Sequence, residues 1–444
     1  MIRAAPRDVA RSVLWLALYA LLALQPLLIL LAAPSAGRGG FGRELSSALG
    51  FLALSTMTMQ FALTARFSWL APPFGTDLVY AFHRSITWVS LALVLAHPLA
   101  LLGADAPEAL GWLGVAGAPA SIAAGVLALY ALVALLVSSA FRRALHLAYE
   151  PWRVVHGLLA AAALALGVFH ALAADRLLAR PVERWAWIAW TGAWGFLLVR
   201  VRLLKPLKLL RRPWRVREVR PEGGRVTTLV LEPDGHPGVR FRAGQFAWLT
   251  LFGSPFFARE HPFSFSGSSQ AAPRLEVSIK VAGDFTERAQ HLAPGARAYV
   301  DGPFGSMTLD GFPDADGYLL VAGGIGIAPC LSILRTLADR GDRRRHVLVY
   351  GTAAWEATPF RDALLELKAR LHLEVVHVLE HPPAGWHGET GVVSEELLGR
   401  HLPSDLRVTC FVCGPPRMMD AVERALVRLG VPVGDVHSER FDLV

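Results

Sequence analysis

Six long apolar runs occupy the first half of the chain: Val13–Ala33, Leu45–Ala65, Leu78–Leu102, Ala118–Phe141, Val154–Ala174 and Trp185–Leu204. A helix needs about 20 such residues to cross the hydrocarbon layer. Backbone polar groups have no water there, so each run is expected to be a helix. Composition agrees, with 53% hydrophobic and 18% charged residues where a soluble domain carries about 25% charged. A wholly soluble protein and a disordered chain are both excluded. The first run is too long for a signal peptide and lacks a small-residue cleavage site of the right shape. An even number of spans puts both ends of the chain on one side.

The net charge of +8 divides unevenly, with 19 Lys+Arg against 8 Asp+Glu in residues 1–213 and 25 against 28 in residues 214–444. The excess therefore belongs to the apolar half, so no nucleic-acid partner is expected. Arg3, Arg7 and Arg11 precede the first span, Arg142, Arg143 and Arg153 flank the fourth connection, and Arg200, Arg202, Lys205, Lys208, Arg211 and Arg212 follow the sixth. Opposite connections are mixed, with Glu44, Asp105, Glu108, Asp175 and Glu183 beside Arg38, Arg43, Arg176, Arg180 and Arg184. The positive-inside rule then puts both ends, and everything after residue 213, in the cytoplasm. A multi-pass protein of the cell membrane is expected.

The second half changes character. From Trp214 to Phe312, short alternating runs such as Arg225–Glu232, Gln245–Phe252 and Leu275–Val281 are broken by Gly and Pro, which predicts a small β-barrel. From Gly317 strands alternate with helical stretches (Tyr318–Ala322, Cys330–Asp339, His346–Tyr350, Phe360–Arg370), which predicts a parallel doubly wound sheet. Three cysteines, Cys330, Cys410 and Cys413, are too few for a disulfide framework. Cys410 and Cys413 read either as a redox pair or as two residues at the end of a buried strand.

Four histidines lie inside the spans: His83 and His97 in the third, His156 and His170 in the fifth. Each pair is 14 residues apart, which returns to within ~40° of the same helix face some ~21 Å further along. The two spans run in the same direction, so His83 is level with His156 and His97 with His170. Two facing imidazole pairs at two depths suit two stacked b-type haems. Ionisable groups in lipid tend to mark function, and a proton relay is the competing reading. Arg84 and Arg153, near His83 and His156, serve either as partners of haem propionates or as positive-inside anchors. Arg43 and Arg176 are weaker candidates at the opposite face.

The soluble half carries motifs. Arg259-Glu260-His261-Pro262-Phe263-Ser264 follows a predicted strand, and Ser278-Ile279-Lys280 and Gly283-Asp284-Phe285-Thr286 come shortly after. Gly323-Gly324-Ile325-Gly326-Ile327-Ala328-Pro329 sits between a predicted strand and helix, where amides and a helix start favour a pyrophosphate. Gly302-Pro303-Phe304-Gly305 and Cys413-Gly414-Pro415-Pro416 complete the set. With the paired histidines, these motifs resemble the NADPH oxidase/ferric reductase family over nearly the whole chain.

That resemblance implies a multi-domain fold: a six-helix transmembrane di-haem bundle in residues 1–212, an FAD-binding β-barrel in 213–314 and an NAD(P)H-binding α/β domain in 315–444. The last two form a ferredoxin–NADP reductase-like half. It implies that His261 to Ser264, Ser278, Lys280, Gly283 and Thr286 hold FAD, with amides and the Thr hydroxyl on its pyrophosphate. Gly323, Gly324, Gly326, Pro329, Cys413, Gly414 and Pro415 would hold the nicotinamide nucleotide. Cys413 and Phe441 would stand at the reacting centre, with Phe441 either a ring that gates the flavin or a terminal core aromatic. Electrons would pass from NAD(P)H to FAD, to the haem on His83/His156, to that on His97/His170, and to an acceptor outside. Three destinations remain: oxygen reduced to superoxide, a chelated ferric or copper ion, or a partner protein fed by an electron-transfer subunit. No obligate protein partner is required by the first two. One departure concerns the nucleotide. Gly351-Thr352-Ala353-Ala354-Trp355-Glu356 holds no Arg for the 2′-phosphate before Arg361, which predicts that NADH is usable.

Overall fold

The structure is a computed structural model that describes residues 6–32, 40–67, 76–101, 115–174, 178, 180–257, 259–312, 314–403 and 407–441. Two compact units emerge: a helical one made of Ala10–Phe67 and Leu78–Pro206, and a second that includes everything from Leu207 onward.

The helical unit contains α1 (Pro6–Ala32), α2 (Phe41–Thr64), α3 (Thr76–Leu99), α4 (Ala120–Ala140), α5 (Tyr149–Ala174) and α6 (Pro181–Val199). Among the described residues, four helices are long and apolar enough to cross a membrane: α2 to α5. Four of the six expected spans are therefore borne out among the described residues. In α6 much of the apolar bulk is aromatic, as Trp185, Trp187, Trp190 and Trp194, and Glu183 and Arg184 open the helix. Trp belongs to membrane interfaces as much as to interiors. After Val199 the helix widens into a π turn, Arg200–Leu204, before α7 (Lys205–Leu210). Such turns occur often at functional sites.

Inside this unit Phe51, Leu54, Leu178 and Trp187 form one apolar cluster and Leu132, Leu135 and Leu136 another. Outward, Leu14, Val89, Leu158 and Phe169 stay exposed. Apolar residues exposed along whole helices suit hydrocarbon, whereas in water they would form an adhesive patch.

The second unit opens with six strands: β1 (Trp214–Gly223), β2 (Val226–Pro233), β3 (Phe246–Thr250), β4 (His261–Ser264), β5 (Leu275–Lys280) and β6 (Arg297–Phe304), with helix α8 (Asp284–Ala289) after β5. They pair in the order β4-β3-β6-β1-β2-β5, antiparallel throughout. A bridge between Phe265 and Val277 joins the two edges, so the sheet closes around Val216, Leu229, Leu249, Phe265 and Val277. Closure removes the edges an open sheet would expose.

Beyond it stand β7 (Gly317–Gly323), β8 (Arg345–Thr352), β9 (Leu373–Leu379), β10 (Glu389–Thr390), β11 (Val408–Cys413) and β12 (Val436–Ser438), all parallel, in the order β10-β9-β8-β7-β11-β12. Helices α9 (Ile327–Asp339), α10 (Arg361–Arg370), α11 (Glu395–His401) and α12 (Pro416–Arg428) connect them. Every residue of β7 and β11 is buried, as a sheet covered on both faces requires. The order reverses between β7 and β11, and that switch point is where open α/β sheets bind ligands.

Candidate functional site

The helical unit places its four histidines in two pairs. The His97 and His170 rings lie 5.9 Å apart between centroids, at 81°, and His83 and His156 are close enough to interact electrostatically. All four Nδ1 atoms are engaged. His97 Nδ1 donates to the Ser46 carbonyl at 2.7 Å and His170 Nδ1 to the Ser121 carbonyl at 2.8 Å. His83 Nδ1 donates to Gln60 Oε1 at 2.6 Å. His156 Nδ1 lies 3.2 Å from Ser139 Oγ, whose own proton goes to the Leu135 carbonyl at 2.6 Å. A carbonyl only accepts, so His83, His97 and His170 carry the proton on Nδ1, and His156 does likewise when the Ser139 proton goes to Leu135. Metal-bound histidines have this second-shell arrangement.

Helix packing explains how the rings reach those carbonyls. A Cβ on Gly50 would lie 2.9 Å from His97 Nδ1, and one on Gly125 2.8 Å from His170 Nδ1. Each glycine follows the accepting serine by four residues, so both helix pairs use the same device: Ser46 and Gly50 on α2, Ser121 and Gly125 on α4. The histidine helices are also the most open, with 6% of each span buried against 39% for α2 and 28% for α4. Among the described residues, no cluster of three or more His, Cys, Asp or Glu side chains could hold a bare metal ion. Two ligands per level fit an iron whose remaining positions are filled by a macrocycle.

Of the arginines expected here, Arg84 is exposed beside His83. Arg153 receives a hydrogen bond on its carbonyl from Arg202 Nη2 at 3.3 Å. Arg202, on the π turn, passes so close to Gly157 that a Cβ there would sit 2.8 Å from Nη2, and it acts electrostatically on His156. Sequence reasoning counted Arg202 only as an inside charge. Arg43 is exposed near the start of α2, and Arg176 lies outside the described residues.

In the barrel, His261, Pro262, Phe263 and Ser264 form β4, paired with β3 as Leu249↔His261 through Phe246↔Ser264. The His261 ring lies 4.0 Å from that of Phe285, which stacks with Phe263 at 6.1 Å. Two expected contacts turn inward instead. Ser278 Oγ bonds Ser266 Oγ at 2.7 Å and Thr228 Oγ1 at 2.8 Å, inside the barrel wall. Thr286 Oγ1 accepts from the Ala282 and Gly283 amides at 2.7 and 3.0 Å, capping its own loop. Both hydroxyls are thus engaged within the protein in this structure. Lys280 reaches the glycine loop, with Nζ 3.8 Å from where a Gly324 Cβ would be.

At the switch point backbone meets backbone. A Cβ on Gly326 would lie 2.2 Å from the Cys413 carbonyl oxygen, and Gly323 lies against Gly414 and Pro415. Gly324 has φ +53°, a left-handed conformation natural to glycine, and its carbonyl accepts from Tyr350 Oη at 3.2 Å. Pro329 is buried in the first turn of α9. Cys413 is buried with Sγ 3.8 Å from the Glu439 carbonyl, and burial holds its thiol well above the usual range. Cys410 faces the opposite core and is pushed up to about 12 by burial. The redox-pair reading of these two fails, because side chains three apart on a strand point to opposite faces.

Phe441 packs edge-on against Phe246 at 5.3 Å, beside Trp248 and Phe304. Glu439, which sequence reasoning passed over, is buried with Oε2 2.6 Å from where a Gly305 Cβ would be. A buried carboxylate next to Gly-Pro-Phe-Gly leaves no signal in a single sequence.

Residues 49–167 match the family described as "Ferric reductase like transmembrane component", and residues 320–424 match "Oxidoreductase NAD-binding domain". The chain carries the domain pair of the NADPH oxidase/ferric reductase family. Curated relatives match about half of this chain or less. The reductase component of propane 2-monooxygenase from Rhodococcus jostii is 28% identical over 51% of this chain and 62% of its own length. An NADH-cytochrome b5 reductase 1 from Lodderomyces elongisporus is 35% identical over 35% of this chain and 48% of its own. Among solved structures, the FAD/NAD-binding domain of a nitric oxide dioxygenase from Vibrio cholerae is 23% identical, covering 51% of this chain and 97% of its own, with a TM-score of 0.46. The chain thus spans between about half and seven tenths of the length of curated relatives such as these. In the terms of the family, a ferric-reductase-like membrane component and a ferredoxin–NADP reductase-like oxidoreductase half stand on one chain.

Proposed function

We propose that this chain is a transmembrane oxidoreductase that passes electrons from cytoplasmic NAD(P)H, by way of FAD and two b-type haems, to an acceptor on the outer face of the cell membrane. Oxygen reduced to superoxide is the acceptor we favour. The reading divides labour among residues 1–212 for haem, 213–314 for FAD and 315–444 for the nucleotide.

One observation carries it: four histidines in two pairs, each with Nδ1 engaged by a hydrogen-bond partner, so that Nε2 is the nitrogen a haem iron would take. FAD, when bound, would accept a hydride's two electrons and release them singly, as haem iron requires. The protein's own part is orientation. His83 and His156 hold one axial pair, His97 and His170 the other, and Arg84, Arg153 and Arg202 supply cations at the level of the first. His261 to Ser264, Lys280 and Gly283 line the flavin side. The backbone of Gly323, Gly324, Gly326, Gly414 and Pro415 receives the nucleotide, and Phe441 covers the place where the nicotinamide must reach the flavin. Cys413, protonated, offers no nucleophile there and serves as a neutral wall. The matched membrane family bears the name of ferric reductases, which supports a chelated metal ion as the second reading; delivery to a partner protein is the third.

The deciding experiment supplies the purified chain with NADPH or NADH, and measures oxygen uptake with superoxide formation against ferric-chelate reduction. Superoxide as the main product supports the oxidase, and chelate reduction without oxygen uptake replaces it with the metalloreductase. Absence of both, with cofactors reduced, assigns the chain to a donor role.

A further inference from the structure

The two histidine pairs are held by different kinds of acceptor. His97 and His170 donate to backbone carbonyls, of Ser46 and Ser121, and no substitution removes a carbonyl. His83 donates to a side chain, Gln60 Oε1, at 2.6 Å, and His156 meets a second side chain, Ser139 Oγ, at 3.2 Å. The Gln60 bond is short and the Ser139 contact long, so Gln60 is the stronger of the two.

Gln60 is buried with 9% of its surface exposed, and among the described residues its Nε2 has no hydrogen-bond partner. A buried donor left unpaired is costly. A residue chosen only to fill the α2–α3 contact would be apolar. What this amide gains in return is a single bond, to His83 Nδ1.

An acceptor on Nδ1–H pushes electron density toward Nε2. A more basic imidazole favours ferric over ferrous iron, and the reduction potential falls. We propose that Gln60 is a positioning residue that sets, through His83 Nδ1, the reduction potential of the haem held by His83 and His156, whereas backbone carbonyls fix that of the His97/His170 haem. Evolution and mutation can therefore move one potential without the other. The inference rests on the haem reading above.

The test uses the full-length purified chain. A pyridine haemochrome assay counts haem, and a potentiometric titration followed in the haem absorption bands gives the two midpoints. Gln60→Leu raises one midpoint by about a tenfold change in the reduced-to-oxidised ratio, about 59 mV for a one-electron couple. The other midpoint and the haem count stay as they were. Gln60→Glu, a stronger acceptor, moves the same midpoint down. Ser46→Ala removes a hydroxyl 3.1 Å from His97 Nδ1 but keeps the carbonyl, and leaves the second midpoint in place. Full haem content with unmoved midpoints in Gln60→Leu overturns the proposal, and so does an equal shift of both. If Gln60→Leu loses haem, Gln60→Glu decides: a lowered midpoint supports the proposal and an unmoved one overturns it. A native chain without haem defeats the haem reading itself, and that outcome is recognisable before any variant is made.

Discussion

On the proposed reading, the helical unit and the glycine-rich crevice between β7 and β11 each hold a group larger than any side chain, and they do so in opposite ways. In the helices the chemistry sits in side chains of one type, and the backbone serves them, as when Ser46 and Ser121 lend carbonyls to His97 and His170. In the crevice the close contacts are of backbone, Gly323 to Gly326 against Cys413 and Gly414, while in the neighbouring barrel the Ser278 and Thr286 hydroxyls are engaged within the protein. A site made of side chains fails when an atom is deleted, and one made of backbone fails when an atom is added.

The largest effect should follow deletion. His97→Ala or His170→Ala is expected to remove one haem, as read by pyridine haemochrome, and to take external acceptor reduction to background while NAD(P)H still reduces FAD. Replacing His83 or His156 should leave FAD reducible but isolate whatever haem remains. Normal external reduction in the His97 variant would invert the proposed order of the pairs, and with it the orientation drawn from the basic residues.

Addition comes next. Gly326→Ala would put a Cβ 2.2 Å from a carbonyl oxygen that cannot step aside, and overpacking of this kind costs about 1–3 kcal/mol or more. The second unit should melt earlier and lose nucleotide-driven FAD reduction, with haem content intact. Gly125→Ala is the matching change in the helices. Its Cβ would meet the His170 ring at 2.8 Å, so it should cost one haem and leave FAD reduction alone. If both alanines behaved alike, the contrast between the two halves would collapse.

A smaller effect is expected at Phe441, whose ring leans on Phe246. Phe441→Ala should change hydride-transfer rate or nicotinamide affinity several-fold, measured by rapid mixing, while haem content holds. Unchanged kinetics would return Phe441 to the role of a terminal core aromatic.

Much of this was legible in sequence, and its limits have physical causes. The 14-residue histidine spacing, the closed barrel and the parallel sheet are periodicities, and periodicity survives in one dimension. Cys413 and Cys410 could be sorted by strand alternation alone. Gln60, Ser139 and Arg202 could not be found, because each meets its histidine across a helix pair and nothing in the spacing marks the meeting. Ser46 with Gly50 and Ser121 with Gly125 did carry a signal, a serine four residues before a glycine in the span preceding each histidine span. The aromatic character of α6 was hidden by counting tryptophan as if it were leucine.

The finest contrast lies within the crevice itself, at the adenosine end, where a side chain does point outward. The loop after β8 offers Trp355 and the exposed Glu356, and Arg361 folds its guanidinium over the Trp355 ring at 5.1 Å. Sequence distance suggested no cation near this loop, but the structure brings one back to it. Glu356 opposes a 2′-phosphate while Arg361 favours it, so the chain should use both nucleotides. The expected kcat/KM preference for NADPH is below ~100-fold, or about 2.7 kcal/mol. Arg361→Ala should lower kcat/KM for NADPH more than for NADH, because only the former carries the added phosphate. An equal loss for both would mean that Arg361 merely braces Trp355, and that discrimination, if any, is read elsewhere along the loop.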